Sequence, residues 1–127
     1  FSYALHLWNK DMANSDLWRE AYALNCPPTT APGDAGEGSL FTVDAPNVVI
    51  ETVKPAEDGS GDVVVRLYEA QRTATRCTLK TALPLAQVAQ TDMLEEHPQP
   101  LETQGGEIAL SLRPFEVKTL RLRLVPA

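Results

Sequence analysis

From residue 39 onward the sequence repeats one pattern. Short runs of apolar and polar residues are cut about every ten residues by Gly, Pro, Asn or Asp. Where apolar residues alternate with polar ones, each strand buries one face and wets the other. That is the pattern of antiparallel sheets packed through a single side. The runs predict strands at residues 40–43, 48–53, 63–68, 73–79, 86–94, 108–112 and 115–125. Asp58-Gly59-Ser60-Gly61 predicts a hairpin between the second and third of these, and Gln104-Gly105-Gly106 a turn. Residues 95–100 carry two prolines and read as loop.

Before residue 39 the signals are sparser. Phe1, Tyr3 and Leu5 alternate with Ser2, Ala4 and His6, which predicts one more strand. Asn14, Ser15 and Asp16 are all good helix caps, and Leu17, Trp18, Ala21, Tyr22 and Leu24 follow at helical spacing. Pro27-Pro28 ends that helix. Residues 27–38, PPTTAPGDAGEG, form an exposed connection. The expectation is therefore an all-β, antiparallel two-sheet β-sandwich of roughly seven to nine strands with at most one short helix. One domain over residues 1–127 is expected, because the pieces flanking the Pro/Gly-rich loop are small. The start at Phe1, directly in strand-like sequence, suggests a segment of a longer polypeptide.

The last strand contains a conflict. Leu120, Leu122 and Leu124 share one phase, whereas Phe115 and Val117 share the other. A bulge or bend near Lys118-Thr119 would restore a common apolar face.

The net charge of −6 repels phosphate and argues against nucleic acid and anionic membranes as partners. Arg113, Lys118, Arg121 and Arg123 gather near the end, but Glu116 interrupts them and alternation divides them between faces. No apolar run approaches the ~20 residues of a membrane span. Cys26 and Cys77 read as two free, buried thiols, which favours the cytoplasm.

Reactive constellations are not expected. The acid pairs Glu57-Asp58 and Glu95-Glu96 lie in turns, where carboxylates are solvated. His6, Cys26, Cys77 and His97 are isolated, without the close pairs that zinc favours. The run from Asp58 to Asp62 has oxygen ligands at alternate positions but lacks the distal Glu of a calcium loop, so it reads as a hairpin turn. No catalytic, cofactor or metal residue is assigned. Trp8, Trp18 and Tyr22 are the candidates for a sugar or domain contact; the alternative places Trp18 and Tyr22 on the sheet as core.

The stretch PNVVIETVKPAEDG at residues 46–59 and VVVRLYEA at 63–70 resemble the C-terminal β-domain of glycoside hydrolase family 38. FSYAL, AYALNCP, TDMLEE and LRPFEVKTLRLRL support the resemblance in family order, while residues 7–20 and 28–38 depart from it. There His6-Leu7-Trp8 stands where the family often has Pro-His. The resemblance implies a parent enzyme that is a retaining α-mannosidase, with an aspartate nucleophile and a zinc ion in an upstream catalytic domain. It implies a non-catalytic, supporting role for this chain. Separated from that partner, the chain is expected to expose an apolar patch and to self-associate or lose stability. The competing expectation is an independent carbohydrate-binding module.

Overall fold

The computed structural model describes residues 3–9, 11–12, 15–33 and 36–126. They form two compact units, one ending at Gly38 and one beginning at Ser39.

The second unit is the sandwich. Its strands are β1 (Phe41–Val43), β2 (Val48–Pro55), β3 (Val63–Glu69), β4 (Thr75–Thr81), β5 (Leu85–Thr91), β6 (Gln99–Leu101), β7 (Glu107–Leu112) and β8 (Val117–Leu124). They pair antiparallel throughout, as a three-stranded sheet β1-β4-β7 and a five-stranded sheet β2-β3-β8-β5-β6. The expected fold class is the one found.

Alternation sets which face goes inside. On β7, Ile108, Leu110 and Leu112 are buried while Glu107, Ala109 and Ser111 are exposed. Val65 and Leu67 of β3, Leu79 of β4, Val88 of β5, and Leu120 and Leu122 of β8 complete the interior. Each fully buried leucine contributes roughly 2 kcal/mol by leaving water.

Two turns fit their residues closely. Ala56 N–H donates to Asp62 O at 2.9 Å to close the β2–β3 hairpin, with Gly59 and Gly61 at positive φ. Gly105 and Gly106 take φ of +60° and +83° between Gln104 and Glu107, which suits a two-residue turn. A Cβ on Gly106 would also collide with the Thr81 carbonyl.

Three local expectations fail. Residues 99 and 100, read as the end of a loop, belong to β6, where Pro100 is tolerated because β6 is an edge strand. No shift occurs near Lys118-Thr119; β8 pairs with β3 in unbroken register from Val117 to Leu122. The irregularities sit instead in β2, between Ile50 and Thr52, and in β5, between Leu85 and Gln87. Phe115 never joins the apolar face; it occupies the preceding turn at φ +58°.

In the first unit, α1 (Leu17–Asn25) forms where the spacing placed it. Ser15 Oγ accepts from Leu17 N–H at 3.3 Å, and Asp16 O accepts from Arg19 and Glu20. Asp16 occupies the cap position, but its carboxylate meets His6 Nε2 at 3.1 Å and makes no cap bond. Asn14 lies outside the described residues. The predicted strand at Tyr3 and Leu5 is not formed over residues 3–8, and Phe1 and Ser2 are outside the described residues.

Candidate interaction surfaces

The outward face of the five-stranded sheet has two unlike ends. At one end Lys54, Val64, Arg121 and Ala89 stand in register across β2, β3, β8 and β5. Val64 is fully buried although it faces away from the sandwich interior. The β2–β3 turn and the loop after β5 are tied together over this end. Glu95 Oε2 accepts from Glu57 N–H at 3.0 Å, and its other oxygen lies 2.5 Å from Lys54 Nζ. Arg66 Nη2 donates to the Met93 carbonyl at 3.1 Å.

Charge pairs fix the turn. Arg121 Nε donates to Asp62 at 2.6 Å, and its Nη2 donates to Asp58 at 2.6 Å and to Ser60 Oγ at 2.9 Å. Arg123 reaches the same Asp62 carboxylate at 3.3 Å. A cavity of about 330 Å³ lies here, lined by Asp62, Gln87, Ala89, Glu95, Pro98, Arg121 and Arg123. The structure thus brings together Glu57-Asp58 and Glu95-Glu96, which the sequence kept apart.

Asp58, Asp62 and Glu95 are held in their ionised form. The Arg121 guanidinium, with Ser60, holds Asp58 down at about 2. Burial pushes Asp62 up, but Arg121 and Arg123 outweigh it and the net shift is downward. Lys54 and the Glu57 N–H lower Glu95. A glycosidase acid needs a carboxyl that keeps its proton near neutral pH, so the shifts here run the wrong way for that work. The arrangement suits clamping a turn to a sheet.

The other end is apolar and open. Val49, Tyr68 and Val117 stand side by side on β2, β3 and β8. Val117 is exposed. Phe115, just before β8, is 62% exposed. Its backbone is held from below by Glu69, which sequence reasoning missed. Glu69 is 0% exposed, and its carboxylate accepts from Phe115 N–H at 3.0 Å, Gln71 N–H at 2.7 Å and Asn47 Nδ2 at 2.9 Å. Burial pushes this carboxyl up, yet those donors and the Thr73 N–H bring it below the ordinary range.

A scan against protein families matches residues 47–120 to the glycosyl hydrolases family 38 C-terminal beta sandwich domain. The chain belongs to this family. Among its relatives is Alpha-mannosidase 2C1 of Homo sapiens, 36% identical over 99% of this chain and 13% of that protein. Its counterpart in Mus musculus is 34% identical over 98% of this chain and 13% of that protein. Alpha-mannosidase G of Dictyostelium discoideum is 24% identical over 95% and 12%. The chain therefore spans about 13% of the length of the curated relatives it matches.

In this family 38 domain the aromatic candidates lie outside the sandwich unit. Trp8 is 42% exposed and stacks on His6, with centroids 5.9 Å apart. Trp18 is half-buried, with the Arg19 guanidinium 5.1 Å above its ring. Tyr22 is 36% exposed, and α1 has no buried residue. The thiols also divide: Cys77 is buried as expected, whereas Cys26 is exposed.

One group of described residues has donor atoms close enough to share a metal ion: Asp92, Glu96 and His97, all exposed. Asp92 already accepts from Leu94 N–H, Glu96 N–H and the His97 ring, each at 2.9 Å. Those bonds close a turn. The group offers one imidazole and two carboxylates, and the Asp92 carboxylate already accepts three hydrogen bonds.

Proposed function

We propose that this chain is the non-catalytic C-terminal β-domain of an α-mannosidase, packing on and supporting an upstream catalytic domain. The observation that carries this reading is the contrast across one sheet face. Lys54, Asp62, Glu95, Arg121 and Arg123 at the closed end all have partners within the domain, while the end around Phe115 and Val117 offers apolar surface to something else. The relatives' names supply the activity, and the unmatched remainder of their length supplies room for a catalytic part. Zinc, in this reading, belongs to that upstream part.

The test compares the full polypeptide with the 127-residue chain on an aryl α-mannoside. Turnover by the full polypeptide and none by the chain is the expected result. Turnover by the chain, free of contaminating enzyme, would refute the proposal.

The second reading, a carbohydrate-binding module, draws on the exposure of Trp8 and Tyr22. Aromatic faces in water can stack on sugar rings. Calorimetric titration of mannose and manno-oligosaccharides into the chain separates the readings: millimolar or tighter binding favours the module. Free thiols at Cys26 and Cys77 agree with a reducing compartment, and a cytoplasmic location is part of the proposal.

A further inference from the structure

Four strands form the sheet edges, and three of them are guarded. β1 and β6 have three residues each, and β6 contains Pro100. β2 is long but carries a register break at Glu51, a lysine at position 54 and Pro55. Such features discourage another strand from pairing. β7 has none of them. Its six residues, EIALSL, contain no proline and one terminal charge.

The direction of the free groups on β7 follows from its neighbours. Gly106 O accepts from Thr81 N–H, so the even-numbered positions face β4. Glu107 exchanges both backbone bonds with Gln104, at 3.0 and 3.2 Å, on the opposite side. Alternation then points the N–H and C=O of Ala109 and Ser111 outward. Their side chains are small and exposed, and among the described residues no hydrogen bond reaches these groups.

The two sheets are also unequal on this side. β1 lies against β2, so three strands reach only as far as the third strand of the larger sheet, β8. The larger sheet runs on through β5 and β6. There Leu101 pairs with Val88 on the inward face and is only partly buried. A fourth strand beside β7 would extend the smaller sheet toward β5 and β6.

We propose that β7 accepts one extended segment of the longer polypeptide, from outside these 127 residues, which extends the β1-β4-β7 sheet. This rests on the reading that the chain is a domain of a larger mannosidase. Relatives in which 13% of the length matches nearly all of this chain hold ample sequence to donate a strand. A donor in the same polypeptide pairs at an effective concentration of about millimolar, which favours it over a second copy. Its side chains should be apolar on the inward phase and polar on the phase beside Ala109 and Ser111.

Residue-resolved hydrogen exchange on the full polypeptide tests this. The amides of Ala109 and Ser111 should exchange about 100-fold or more slowly than open-loop amides, whatever the protein concentration. Exchange at loop rates would overturn the proposal. So would protection that disappears on dilution, because it would identify a second copy as the occupant. Mannoside turnover is measured on the same sample. Protected amides without turnover would sink the functional reading alone; turnover with unprotected amides would sink the strand addition alone.

Discussion

The two ends of the outward sheet face use the same strands for opposite purposes. At the closed end, Asp62, Arg121, Arg123, Lys54 and Glu95 exchange charge across two loops, and the domain finishes itself. At the open end, Val117 is exposed, and a buried carboxylate presents an aromatic ring to solvent. The strands do not determine which end is complete; the connecting loops do. Self-contained electrostatics costs desolvation and repays it only with tight geometry. Apolar surface left open costs solubility and repays it only on docking.

The largest effect should come from breaking the closed end. Asp62 is buried and carries two guanidinium partners. Asp62→Ala removes the buried one of the two carboxylates that hold Arg121, itself largely covered, and leaves only the exposed Asp58. A loss of about 3 kcal/mol is expected in urea unfolding of the chain. A loss below ~1 kcal/mol would mean that solvent screens the cluster and that the clamp is ornamental.

Next in size is Glu69, which supports the open end from inside. Glu69→Gln keeps the shape but replaces one acceptor oxygen by a donor facing backbone N–H groups. About 2 kcal/mol should be lost. The pH dependence has a definite sign. Folded Glu69, Asp62, Asp58 and Glu95 all bind protons more weakly than ordinary carboxyls do. The unfolded chain therefore takes up protons first as pH falls through about 4. Stability is full above that range and declines toward pH 2. Melting temperatures measured from pH 6 to pH 2.5 should show the decline, with a shallower slope in Glu69→Gln.

How far the sequence revealed these ends follows from their physics. Period-two alternation located the core strands, because burial of one face is written residue by residue, as in Ile108, Leu110 and Leu112. The Asp-Gly turn and the helix at Leu17 were legible from local chemistry. The clamp was not, because Arg121 and Asp62 are 59 positions apart and only the register of β3 with β8 brings them together. Glu69 did leave a trace: Val63, Val65 and Leu67 set an inward phase that Glu69 continues, and a charge on that phase must be compensated. The phase conflict at Phe115 was visible too. Its resolution was missed, since the chain leaves the ring outside instead of shifting β8 to bring it in.

The smallest effect should come from the open end of the chain by itself. Phe115 is mostly solvated, so Phe115→Ser should change the stability of the 127-residue chain by no more than about 0.5 kcal/mol. Phe115→Gly should raise it by up to about 1 kcal/mol, because glycine adopts the positive φ at this position without a Cβ penalty. In the full polypeptide the order reverses if the upstream domain covers the ring. Phe115→Ser should then cost about 2 kcal/mol, the worth of burying an aromatic side chain. Urea midpoints for both variants in both contexts decide the matter. A large loss in the short chain would show that the ring already packs within the domain, and equal small losses in both contexts would show that nothing docks on it.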